Sequence, residues 1–233
     1  MIKNILAFGD SFTYGEELSN REEDSWPSVL AKKLNATVVN YAEPGGSNDK
    51  IVRRLIRALS NNKPADLVVI GWSSPGRTEY CDTDGVFDIW PGNAGRLFFA
   101  GNCEYRKDLL RHINYHHNAN FLFEHYLQQI IIVQTLLSSH NINYRMCDIV
   151  ANDYYKQQRD FQYGIKFSPE ERTESIIYET YANKIDKTKF IDFGVGGMAE
   201  WAFGLRKGPA GHFLEDGHRL VADKFYEHIK SSD

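Results

Sequence analysis

Cysteine is scarce in this chain, with three residues in 233, Cys81, Cys103 and Cys147. An odd number at wide spacing excludes a disulfide framework and offers no metal-ligand pattern, so reduced thiols in an intracellular compartment are expected. A basic excess is also lacking. Lys and Arg total 27 against 31 Asp and Glu, for a formal net charge of −4. That balance excludes the usual electrostatic footprint of a nucleic-acid or membrane-surface partner. No run approaches the ~20 apolar residues of a membrane span, and the longest apolar cluster, Ile130 to Val133, sits inside an amphipathic pattern. The opening apolar stretch before Gly9-Asp10 is too short for a signal-peptide core and cleavage site, which makes a cytoplasmic location the expectation. Internal repeats and low-complexity segments are absent. So are a Walker pattern and a G-x-G-x-x-G after the first apolar run, which argues against a nucleotide binder.

What is present fits one α/β domain over residues 1–233, interrupted by insertions at about 73–118 and 151–187. Strands are expected at Ile2 to Phe8, Ala36 to Tyr41, Asp66 to Trp72, Asn143 to Val150 and Lys189 to Phe193. Between them lie helical patterns. One is capped by Asp24 and runs to Leu34, with Pro27 in its first turn. A second is capped by Ser47 and runs to about Ser60, with Ile51, Leu55, Ile56 and Leu59 on one face. Others span about Ala119 to His140, part of Pro169 to Ala182, and Glu215 to Ile229. This alternation predicts a three-layer α/β/α doubly wound parallel sheet, with working residues in loops beyond the strand C-termini.

Three such loops carry chemistry. Gly9-Asp10-Ser11 follows the first strand, where Gly9 permits a tight turn and Ser11 needs only a base to become a nucleophile. Asn40-Tyr41-Ala42-Glu43-Pro44-Gly45-Gly46-Ser47 follows the second, and its two glycines leave backbone N–H groups open to an oxyanion. Gly211-His212 stands before the last helix, where a histidine is free to face a cleft, whereas His218 belongs to the helix. Each piece alone has an ordinary structural explanation: a polar turn, the N-cap Ser47, a helix-flanking histidine.

Taken in order with the strand Pro64 to Trp72 and with Gly217-His218, the pieces resemble the SGNH (GDSL-type) hydrolase family over most of the chain. The resemblance implies a flavodoxin-like sheet and an esterase or other acyl hydrolase that needs no cofactor, with carbohydrate deacetylation as a narrower form. It implies Ser11 as nucleophile, His212 as general base, the Ser11 and Gly45 N–H groups as oxyanion donors, and Asp10 as organiser of the loop.

The chain departs from the family pattern twice. The third block, Gly71-Trp72-Ser73-Ser74-Pro75-Gly76-Arg77, has no asparagine, leaving Ser73, Ser74 or Arg77 as substitute donors. Pro209 stands where the family places its acid, so a dyad or a remote carboxylate is implied, with Asp192, Glu200, Glu215 and Asp216 as candidates. His112 and His116 would share a helix face, but no Glu sits at protease spacing and no metal is expected. Phe87, Trp90, Phe98, Phe99 and Tyr105 would either wall a substrate groove or pack the first insertion onto the domain. Two readings stay open: an ester hydrolase acting on a small-molecule or carbohydrate ester, and a catalytically weak or inactive module of the same fold that binds a carbohydrate or other small ligand.

Overall fold

The computed structural model describes residues 2–82, 85–89, 119–150 and 175–231. In chain order the elements are β1 (Asn4–Phe8), α1 (Ser11–Tyr14), α2 (Arg21–Asp24), α3 (Trp26–Leu34), β2 (Thr37–Asn40), α4 (Asn48–Ser60) and β3 (Leu67–Trp72). There follow β4 (Thr78–Asp82), β5 (Gly85–Ile89), α5 (Ala119–Ser139), β6 (Asn143–Asp148), α6 (Ser175–Ala182), β7 (Phe190–Ile191), α7 (Met198–Trp201) and α8 (Glu215–Lys230). Five strands form one sheet in the order β2-β1-β3-β6-β7, and every pairing is parallel. The order reverses between β1 and β3. In doubly wound sheets a crevice opens at that reversal, beyond the strand C-termini. The first insertion begins as an antiparallel hairpin, β4 with β5.

Alternation of side chains across the pleat builds both faces of the sheet. Leu6, Phe8, Val68, Ile70 and Trp72 point to a cluster completed by Ile51 and Leu55 of α4 and by Tyr126, Leu127 and Ile130 of α5. Ile5, Ala7, Leu67 and Val69 point the other way, onto Trp26 and Leu30 of α3 and Val221 and Phe225 of α8. Burial of each such large side chain contributes about 1.5–3 kcal/mol. Trp26 stacks on Phe225 with centroids 4.5 Å apart, which locks α3 to α8. The α/β/α layering is therefore as expected.

Two local expectations are corrected. No single helix is capped by Asp24. The chain breaks at Ser25, which is extended, because the Pro27 ring would strike the Glu23 carbonyl of a continuous helix. The Trp26 N–H at the new start donates to His218 Nδ1 at 3.1 Å. On α4, Ser47 does cap, accepting from the Lys50 N–H at 3.2 Å. Its buried face, however, is Ile51, Leu55 and Ala58, while Ile56 is 45% exposed. A face spaced by three and four residues from Leu55 reaches Ala58 and Leu59 and passes over Ile56.

His218 makes stability pH-dependent. Burial, and secondarily the nearby His212, push its pKa from 6.5 down to about 3. An unfolded chain binds this proton below about pH 6.5 and the folded chain does not until near pH 3, so stability falls as pH drops through that window. The loss is at most about 5 kcal/mol. His218→Asn keeps an acceptor for Trp26 and removes the titration. Urea denaturation from pH 8 to 4 should show a flatter stability profile in the variant; an unchanged slope would exclude His218 as its source.

Candidate active site

Ser11 is placed by two constraints on the loop after β1. Gly9 packs so closely that a Cβ there would lie 2.1 Å from Thr13 Oγ1 and 3.1 Å from the Gly71 carbonyl of β3, so only glycine lets the two strand ends approach. Asp10 is buried and caps α1, its Oδ1 accepting from the Phe12 N–H at 3.0 Å. Its Oδ2 accepts from Ser73 Oγ at 2.9 Å and from Arg77 Nη1 at 2.7 Å. A buried carboxylate needs such partners, and here they tie the β1 loop to the β3 loop. Ser11 opens α1 at this junction, just beyond the C-terminal end of β1.

The Ser11 hydroxyl meets His212. Oγ and Nε2 are 2.9 Å apart. On the far side of the imidazole, Nδ1 lies 2.9 Å from Glu17 Oε2. A carboxylate can only accept, so Nδ1 carries the proton and Nε2 offers its lone pair to the Ser11 O–H. Glu17 arrives there because Gly15 ends α1 in the left-handed region and Glu17 itself takes φ +69°. Positive φ is uncommon for a residue with a Cβ. The bonds that hold it are specific: Oε1 accepts from the Ala210 N–H at 2.7 Å, and Oε2 also accepts from the His212 N–H at 3.0 Å. The Ala210 N–H first, then the His212 contacts, hold this carboxyl below the usual carboxylate range.

The loop before α8 is shaped around that carboxylate. A Cβ on Gly208 would sit 2.5 Å from Glu17 Cδ. Gly208→Ala should therefore displace Glu17 and loosen its hold on His212; unchanged imidazole NMR shifts of His212 in a folded Gly208→Ala protein would show that the contact does not need the glycine.

The second loop lies against the first. Asn40 Nδ2 donates to the Thr13 carbonyl at 2.8 Å, and the Glu43 N–H donates to the Gly9 carbonyl at 3.3 Å. Gly45 takes φ +76°. A Cβ on Gly46 would stand 3.7 Å from Asp10 Cα. Asn48 holds the third loop, its Nδ2 donating to the Ser73 carbonyl at 3.0 Å and its Oδ1 accepting from the Ser73 N–H at 2.8 Å. Among the described residues, neither the Ser11 N–H nor the Gly45 N–H forms a hydrogen bond.

Several expectations change here. Ser73 Oγ donates to Asp10 Oδ2 and Arg77 Nη1 donates to the same oxygen, so both candidate donors of the third loop also fix the Asp10 carboxylate. Ser74 contributes its carbonyl to the turn that ends at the Arg77 N–H. None of the four acids proposed to back His212 does so. Asp192 faces Lys224, Glu200 accepts the Gly197 N–H, and Glu215 and Asp216 both pair with Arg206. The carboxylate behind His212 is Glu17, 195 residues away in sequence, a pairing that no spacing rule reveals. His112, His116, Trp90, Phe98, Phe99, Tyr105 and Cys103 lie outside the described residues, as do the side chains of Phe87 and Cys81. Cys147 is buried in the sheet, and desolvation pushes its thiol well above the ordinary range. Among the described residues no cluster of His, Cys, Asp and Glu could hold a metal, and no helix is long and apolar enough to cross a membrane.

The same fold recurs in solved structures of low sequence identity. One is a putative lipolytic protein of the G-D-S-L family from Desulfitobacterium hafniense, with 17% identity, 97% of this chain and 99% of that one covered, and a TM-score of 0.53. Another is the esterase EstA from Pseudoalteromonas sp., in a structure inhibited by monoethylphosphonate, with 14% identity, 99% and 98% coverage, and a TM-score of 0.53. A third is an acetyl xylan esterase, with 15% identity, 97% and 99% coverage, and a TM-score of 0.51. At these identities the likeness fixes the sheet topology shared with G-D-S-L hydrolases. No curated protein matches by sequence. Residues 13–231 match the profile described as a family of unknown function, DUF6071, and the chain belongs to that family.

Proposed function

We propose that the protein is a serine hydrolase of carboxylic esters, with Ser11 as nucleophile, His212 as general base and Glu17 as the group that orients His212. The observation that carries this reading is the unbroken line from Ser11 Oγ through both ring nitrogens of His212 to Glu17, with 2.9 Å at each contact. Ser11 Oγ attacks the ester carbonyl as its proton passes to His212 Nε2. The carbonyl electron pair becomes an oxyanion facing the Ser11 and Gly45 N–H groups. Collapse breaks the bond to the alcohol, which takes the proton from Nε2. Water then repeats the sequence on the acyl-serine. Glu17 holds the Nδ1 proton throughout and stabilises the imidazolium. Removal of an acetyl group from a carbohydrate is the narrower form we favour, in keeping with the fold shared with an acetyl xylan esterase.

The competing reading is a binding module without catalysis. It is favoured by the lack of an asparagine amide in the third block, since a lost oxyanion donor costs about 3 kcal/mol of transition-state stabilisation. Its other motive, a histidine with no acid, loses force with Glu17 in place. Treatment with a fluorophosphonate separates the two. Mass spectrometry should find the adduct on Ser11, together with turnover of phenyl acetates and acetylated sugars. A folded protein that is neither labelled nor active is a binding module.

A further inference from the structure

Two consecutive carboxylates straddle one imidazole. Glu17 takes Nδ1, as described. Glu16 turns to the other edge, its Oε2 lying 3.6 Å from His212 Nε2, the nitrogen that also holds Ser11 Oγ. The backbone imposes this split. The Glu16 N–H donates to the Ser11 carbonyl at 3.0 Å, which fixes Glu16 one turn beyond the nucleophile, and positive φ at Glu17 sends the next side chain the other way.

Among the described residues, the other charges near the site are already paired. Asp10 is matched by Arg77, and Glu43 by Lys50 and Arg54. Glu17 is enclosed by Ala210 and His212, with its side chain 14% exposed. The Glu16 side chain is 40% exposed, and among the described residues the basic group it approaches is the His212 ring. Among the described residues no Lys or Arg pairs with Glu16, so its carboxylate places negative charge beside Ser11 Oγ. Fixed charge in a cleft attracts one sign of substrate and repels the other.

The geometry points to Glu16 as a specificity-determining residue. It disfavours esters with a carboxylate, phosphate or sulfate near the scissile bond and favours neutral esters and esters with an ammonium group. This inference rests on the hydrolase reading above. It also narrows that reading, because an acetylated neutral sugar or amino sugar suits the site and an acetylated uronic acid does not.

The test uses three phenyl acetates with neutral, carboxylate and trimethylammonium para substituents. For each protein, kcat/KM on each charged ester is divided by its value on the neutral one, so general damage to the site cancels. Comparison with wild type cancels leaving-group differences. Glu16→Gln should raise the anionic ratio and lower the cationic ratio, each about five- to tenfold at low salt, the size expected for one charge near the reacting atoms. Glu16→Lys should invert the order. The effects should shrink at 0.5 M salt, where the Debye length is only about 4 Å. Ratios that move less than twofold in both variants, while wild type hydrolyses the neutral ester, overturn the role of Glu16 and leave the hydrolase reading standing. Wild type that hydrolyses none of the three and takes no fluorophosphonate overturns both.

Discussion

Ser11→Ala should lower kcat on a neutral phenyl acetate by about 10⁶-fold, the loss typical when a triad nucleophile is removed. The physical basis is local. Ser11 Oγ is the hydroxyl oxygen within hydrogen-bond distance of His212 Nε2, at 2.9 Å. The loop itself is held by other groups: Asp10 through Phe12, Ser73 and Arg77, and Gly9 through its packing on Thr13 and Gly71. The variant should therefore fold, with a urea midpoint close to wild type. What survives is also informative. With the Ser11 and Gly45 N–H groups intact, water activated by His212 can still react, and roughly 10³-fold acceleration over the uncatalysed rate is the expected remainder. Turnover within tenfold of wild type would show that another group is the nucleophile. Complete loss of fluorophosphonate labelling, with folding unchanged, would place the reaction on this one oxygen.

The sheet was legible because parallel strands buried on both faces write themselves as apolar runs. Leu67 to Trp72 is buried at every position, and the sequence there is Leu-Val-Val-Ile-Gly-Trp. Ser11 and His212 stand out in the sequence because glycine-bearing loops precede them: Gly9 packs against Thr13 and Gly71, and Gly211 takes φ +94° with open space around it. The helix before β2 starts at Trp26 and not directly after Asp24, because the Pro27 ring would strike the Glu23 carbonyl in a continuous helix. Arg77, one of three substitute donors the sequence offers, has its Nη1 on the buried Asp10 carboxylate, a partner 67 residues away that spacing does not reveal. Glu17 was missed because its role exists only in three dimensions. Its partners are in the loop Gly208 to His212, and residue spacing carries no information across that separation. The one local hint was composition: two glutamates directly after Gly15, which ends the motif helix.

Glu17→Gln should reduce kcat by about 10³- to 10⁴-fold with KM nearly unchanged, as when the third member of a triad is neutralised. The amide fails on both of its duties. Both carboxylate oxygens accept from N–H donors, Oε1 from Ala210 and Oε2 from His212 N and Nδ1. A Gln side chain has one acceptor oxygen, so its NH₂ must face either Ala210 or His212. Facing His212, it would donate to Nδ1 and move the ring proton to Nε2, where it can no longer receive one from Ser11. Facing Ala210, it leaves a donor unmet, at a cost of about 1–3 kcal/mol, and still provides no charge to balance the imidazolium. The thermal midpoint should fall by several degrees, yet the kinetic loss should exceed what instability explains. The double variant with Ser11→Ala isolates the catalytic part, since residues that act as a unit are not additive. With Ser11 gone, removing Glu17 should cost less than tenfold further. Asp192→Asn and Glu215→Gln serve as controls: each acid is paired with a cation away from His212, and turnover should stay within twofold. A Glu17→Gln protein that is folded and as fast as wild type would reduce the machinery to Ser11 and His212, with Glu17 only a strut for the loop before α8.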